Sequence, residues 1–431
     1  MFQKFYSFFL PIALVGLLTA GLLARLPGCR PKAPQSGELV IWGVYDDSDV
    51  YSALIGDFER KYPHIKVRYY KKSYNDYERD LLDALAAGQG PDIFYLHNDW
   101  LPRYYDKIYP LPEDLMTLKE FRDTFVDVAF NDLTVNDQIF GLPLFVDTLA
   151  LYWNKDLFNS AGIPGPPLTW QEFMFDVPRL TKFDDYRNIV QAGAAIGTAR
   201  NINRSTDILS LLMLQNGTKM LDDDRTRVVF DRSVNSSINP YPGENALAFY
   251  TQFADPQKKV YTWNNKMHYS IDAFYEGRLA MMFNYSYHIS TIRSKAPYIN
   301  FGISYMPQIT QSSNQVNYAN YWALTVSRNS RFPYYAWQFV TYALQKNNNQ
   351  YYLQQAKRPS ARRDLIDWQK DDLDLGVFAR QALSARSWFQ IDNSSIESIL
   401  ADMIDNVVAK RMTIGQGLEW AASRINLLME K

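Results

Sequence analysis

One cysteine, Cys29, stands in a chain of 431 residues, and histidines number only four. A single thiol closes no disulfide within the chain and leaves no CxxC pair for a metal. His64, His97, His268 and His288 lie far apart without ligand spacing, so neither a metal centre nor a cofactor is expected. Formal net charge is −1 and no long basic run occurs, which argues against nucleic acid as a partner. No G-x-S-x-G elbow and no Walker loop is present, so catalysis is not expected. Asp and Glu are plentiful, and counting alone leaves a hydrolytic pair of carboxylates open. Internal repeats and low-complexity segments are also lacking.

What is present is a globular composition, 47% hydrophobic and 21% charged, long enough for two or three domains or two large lobes. Aromatics are abundant: 30 Tyr, 25 Phe and 10 Trp make up 15% of the chain. Most suit a core, and the remainder suit a site that stacks on flat apolar faces.

The N-terminus stands apart. Residues 5–24 are almost wholly apolar behind Lys4, as in an export signal or a membrane anchor. Cys29 follows Leu26-Pro27-Gly28 and resembles the lipobox of bacterial lipoproteins, whose cysteine is acylated. Pro27 and Arg25 depart from that pattern, and the apolar run is long enough to span a bilayer uncleaved. Residues 1–29 are thus a cleaved leader or an anchor, and 30–37 a linker. Either way the folded part is tethered outside the cytoplasmic membrane.

From Glu38 the order is strand, helix, strand, helix, strand. Residues 38–42 read as a strand, and Val50, Leu54, Ile55 and Phe58 recur at helical spacing. Ile65, Val67 and Tyr69 alternate, Leu81, Leu82 and Leu85 share a helical face, and residues 92–97 form the next strand. This βαβαβ order predicts a parallel sheet with helices on its faces and a site beyond the strands' carboxyl ends. The loops 45–48 and 98–100 fall there.

The stretch 140–173 organises the rest. Residues 142–153 read as one long apolar strand interrupted by Asp147, and 155–161 as a helix ended by Gly162. Thr169 with Glu172 has the capping-box spacing. Further on, Pro333 opens a helix, and Asn393 or Ser394 caps an amphipathic one through Val407.

The residues Gly141-Leu142-Pro143, Tyr152, Asn154-Lys155-Asp156-Leu157-Phe158, Ala161-Gly162, Pro167, Thr169-Trp170 and Glu172 closely resemble a hallmark of the bacterial extracellular solute-binding proteins of ABC importers, the maltose-binding-like family 1. Gly90-Pro91-Asp92-Ile93, residues 272–283 and Arg358-Pro359-Ser360-Ala361-Arg362 match further family segments. The resemblance implies an α/β, two-lobed fold whose lobes are joined by three crossovers, near Asp147, Trp322 and Ser387. One lobe would be 38–146 plus 323–386, the other 147–322 plus 387–431. It also implies a hinged receptor that takes a sugar or oligosaccharide into the cleft and presents it to an importer's membrane subunits. By motif, Asp46, Asp99 and Asp147 fall where relatives place carboxylates for sugar hydroxyls, and Tyr287 and Trp388 where they place stacking rings. Trp322 is a candidate from its crossover position, and Tyr45, Asn98 and Trp100 from their loops. Leu96 lacks the ring of the maltose-binding branch. A secreted carbohydrate hydrolase, or a sensory or structural protein on the same fold, are the alternatives.

Overall fold

The computed structural model describes residues 36–310 and 314–430; the leader, Cys29 and the linker through residue 35 lie outside them. Among the described residues no helix is long and apolar enough to cross a membrane.

The N-terminal strands form as the periodicity predicts. β1 (Gly37–Gly43), α1 (Ser48–Lys61), β2 (Ile65–Lys71), α2 (Tyr74–Ala86) and β3 (Ile93–His97) follow in order, with β1 parallel to both β2 and β3. Leu39, Ile41, Phe58, Leu81 and Ile93 are buried, so strand alternation and helix stripe meet in one core.

The long strand expected over 142–153 is three short ones. β4 (Leu142–Pro143) ends the first sheet, β5 (Asp147–Thr148) belongs to a small sheet, and β6 (Ala150–Asn154) is the centre of a third. The apolar run is continuous because it is buried throughout, not because it keeps one set of partners. Pro143 has no N–H to extend the first ladder. Beyond it, α3 (Trp170–Leu180) starts on the expected capping box, with Thr169 and Glu172 exchanging bonds. α4 (Ser205–Gln215) follows. β7 (Met281–Asn284) and β8 (Phe301–Ser304) then flank β6 antiparallel.

β9 (Asn317–Asn320) and β10 (Trp322–Val326) lead back, and β10 completes a first sheet ordered β2-β1-β3-β10-β4. α5 (Pro333–Ala343) and α6 (Lys346–Ala356) cover it, and β11 (Ala385–Arg386) leads out again to α7 (Asn393–Val408) and α8 (Ile414–Met429). The cap of α7 is Asp392, whose side chain accepts from the Ser395 amide at 3.0 Å, rather than Asn393 or Ser394. Asn393 is thereby free to reach elsewhere.

Two hydrophobic cores result. The first gathers Leu39 to Val146 and Ala319 to Ile366; the second gathers Leu149 to Met306, Tyr318, Trp388 and Ile396 to Ile425. Leu375 and Phe378 pack in the second core, whereas Trp322 packs in the first. Where the chain passes between cores, β5, β9 and β11 lie side by side in one three-stranded sheet. Short paired strands give the crossings a fixed register, and their apolar residues Tyr318, Ala319 and Ala385 pack into the adjoining cores.

Candidate functional site

The two cores leave a cavity of about 350 Å³ between them. Its first wall is aromatic. Trp322, at the start of β10, is the hub: its ring meets His97 at 4.9 Å, Trp100 at 5.2 Å and Tyr45 and Tyr77 at 5.9 Å, all edge to face. Edge-to-face packing sets the positive rim of one ring against the negative face of the next. Trp100 stacks on Tyr104 at 5.4 Å and Tyr45 on Tyr74 at 5.6 Å. Tyr45 is 39% exposed, a ring open to the cavity.

The second wall is polar. Arg204, in left-handed backbone (φ 64) just before α4, donates to the Tyr287 hydroxyl through Nη2 at 2.8 Å and Nε at 3.2 Å. Tyr287 stacks on Tyr285, whose hydroxyl donates to Asp207 at 2.7 Å. Gln390, Asn393, Ser394 and Glu397, from the approach to α7 and its first two turns, add amides, a hydroxyl and a carboxylate. Burial pushes the Asp207 and Glu397 carboxyls above their ordinary range.

Asp147 lines the cavity at the crossing and is 2% exposed. Its oxygens accept from the Ser286 amide at 3.0 Å, the Ser286 hydroxyl at 2.7 Å and the Thr148 amide at 2.9 Å. Burial raises its pKa to about 6, against the lowering effect of the Ser286 bonds and of Arg358.

Of the residues singled out from sequence, Tyr45, Trp100, Asp147, Tyr287 and Trp322 line this cavity. Four others are placed elsewhere. Asp46 is buried in the first lobe, accepting from the Tyr95 and Tyr352 hydroxyls at 2.6 and 2.8 Å. Asp99 bonds His97 Nδ1 and, across the lobes, Asn393 Nδ2 at 2.5 Å. Asn98 bonds the Tyr321 amide and Asp132. Trp388 packs in the second core with its indole N–H directed to Ser210 at 3.3 Å. Asn98, Asp99 and Trp388 border a separate interlobe space of about 1350 Å³. Arg204, Asp207, Arg358 and Glu397, which line the cavity, were not singled out as contacts; only Arg358 had a signal, its place in the Arg358–Arg362 segment.

His97 faces Asp99 with Nδ1 and the side-chain Oδ1 of Asn320, at 3.2 Å, with Nε2. Burial disfavours the imidazolium, but Asp99 and these bonds outweigh it, and the His97 pKa lies above its usual value. Asp132, which lines the separate interlobe space, accepts from Asn98 at 3.3 Å, Tyr321 Oη at 2.9 Å and Ser387 Oγ. Burial raises its pKa to about 7, although those donors pull the other way. A carboxyl whose folded pKa is raised contributes stability that is full below its unfolded pKa and is lost as pH rises through about 7. Asp132→Asn is therefore expected to gain on the wild type between pH 5 and pH 8, by about 2–4 °C in melting temperature. Melts at the two pH values check this; a difference that does not change with pH contradicts it.

Two lobes of mixed α/β structure, facing each other over a lined cavity, define the two-lobed binding-protein fold. The sequence profile of bacterial extracellular solute-binding proteins matches residues 53–373, and the chain belongs to that family. It is 22% identical, over 87% of its length and 88% of the relative's, to a Brucella abortus protein named as a binding protein. It is 23% identical to the maltotriose-binding protein of Pyrococcus abyssi, over 65% of this chain and 56% of that one. The structure of the sugar-binding protein MalE from Xanthomonas citri superposes with a TM-score of 0.75, at 18% identity, over 91% of this chain and 98% of that one.

Proposed function

We propose that the chain is the extracytoplasmic receptor of an ABC importer and takes a sugar or oligosaccharide into the cavity between its lobes. The observation that carries this reading is the pairing of walls: aromatic rings on one side, with Tyr45 and Tyr74 exposed, and amides, hydroxyls and charged groups on the other. A saccharide has both kinds of surface, C–H faces that stack on rings and hydroxyls that bond polar groups. The sugar-binding names of the similar proteins support the same class. The lobes, divided near Asp147, Trp322 and Ser387, close over the ligand as a hinge, and the closed form gains contacts to both walls. Asp147 and Asp207 are held by fixed donors, an arrangement suited to binding rather than to turnover. Native mass spectrometry of the protein purified from its own cells tests the reading. A bound mass of saccharide composition is expected; a bound peptide, lipid or polyamine instead would refute it.

The tether belongs to the same proposal. Acylated Cys29, or the uncleaved apolar segment, would keep the receptor at the outer face of the cytoplasmic membrane. Metabolic labelling with a fatty acid should mark the wild type and not Cys29→Ala; equal labelling of both would leave the uncleaved anchor as the tether.

A further inference from the structure

Arg358 follows α6, where Lys357 adopts the left-handed conformation (φ 52) that ends the helix. Its side chain is 11% exposed and lines the cavity. The guanidinium lies 5.6 Å from the Tyr45 ring centre and 5.1 Å from that of Phe145. Both rings are within cation–π distance and hold its position. Yet its Nε is buried without an acceptor. The Asp46 carboxylate stands 3.9 Å away, beyond hydrogen-bond reach, and one of its oxygens already accepts from two tyrosine hydroxyls. Arg204 on the facing wall, by contrast, spends Nε and Nη2 on Tyr287. A guanidinium has five N–H donors, and buried donors without acceptors carry a desolvation cost. Among the described residues the Nη groups also find no acceptor within hydrogen-bond reach, and they carry the side chain's remaining exposure, so they are the donors that an occupant presenting oxygen would meet.

The charge of the surroundings decides which oxygen. Asp46 and Asp147 both act electrostatically on Arg358, two carboxylates on one guanidinium. Around the cavity the carboxylates Asp147, Asp207 and Glu397 stand against the guanidinium groups of Arg204 and Arg358, while Glu78 is paired with Arg103 at 3.2 Å and His97 with Asp99. A further carboxylate, brought in by the ligand, would add like charge to a site already in excess of it.

On the basis of the saccharide reading above, we propose that Arg358 is a ligand-contacting, specificity-determining residue. It donates to uncharged hydroxyl or ring oxygens and makes the cavity select neutral over acidic saccharides.

The test uses matched probes: maltose, maltotriose, cellobiose and lactose, each beside its C1-oxidised carboxylate, titrated calorimetrically into the full exported chain. At least one neutral sugar is expected to bind, with its carboxylate partner at least tenfold weaker. Arg358→Gln and Arg358→Lys should each weaken that sugar at least tenfold. Arg358→Lys keeps a positive charge beside Asp46 and serves as the folding control, with a melting temperature near that of the wild type. It lacks the planar fork, so charge alone does not rescue binding. If both variants bind as the wild type does, the Arg358 assignment is wrong while the saccharide reading stands. Equal or tighter binding of the carboxylates overturns the selectivity. If the wild type binds no member of either series, the saccharide reading fails and this inference with it.

Discussion

Trp322→Ala is expected to abolish measurable saccharide binding and to lower stability by about 3–5 kcal/mol, the usual cost of emptying a large buried aromatic site. Trp322 is only 4% exposed, and four rings meet it edge to face, so its loss leaves Tyr45 and Trp100 without the surface that orients them. Each aromatic pair contributes about 0.5–1.5 kcal/mol beyond burial, so the cluster loosens together. Trp322→Phe keeps part of the volume and should restore most of the stability while leaving affinity reduced. Denaturant unfolding beside calorimetric titration separates the two effects. Wild-type affinity in either variant would remove the aromatic wall from the binding site.

Asp147→Asn should lower both stability and affinity. The amide is isosteric, but whichever way it is turned, its NH₂ meets donors from Ser286 or Thr148 where a carboxylate oxygen accepted them. A mismatched buried polar group costs about 1–3 kcal/mol. Ser286 sits beside Tyr287, so the ring on the polar wall shifts with it. Affinity is expected to fall about tenfold or more, equivalent to about 1.4 kcal/mol. If the melt drops and affinity holds, Asp147 is scaffold alone; if affinity drops and the melt holds, its oxygens serve the ligand and not the crossing.

These two residues also mark how far the sequence is legible. The N-terminal βαβαβ unit follows from local periodicity, and the Thr169–Glu172 box from spacing, because both are decided within a few residues. Residues 142–153 read as one strand yet form three, because an unbroken apolar run reports burial, not the change of partners from one sheet to the next. The same limit applies to the site. Asp46 and Tyr45 are neighbours in the bend after β1, yet Tyr45 opens to the cavity while Asp46 turns into the lobe toward Tyr95 and Tyr352. Asp99 and Trp100 diverge similarly, one to Asn393 and one to the cavity. Arg204, Arg358 and Glu397 come from segments far apart in the chain and converge only through the crossings. No local pattern carries such a meeting. Asn393 became available to Asp99 because Asp392 took the cap, a competition between neighbours that composition does not settle.

The central claim is that one ligand is held by both walls of the interlobe cavity at once. Hydrogen-exchange mass spectrometry of the exported chain, with and without a saccharide that it binds, tests this most directly. Slowed exchange is expected together in the loops around Tyr45 and Trp100, in residues 204–210 and 284–288, and at the start of α7. Protection confined to one lobe, or absent from all of these segments while binding is saturated, would contradict the account.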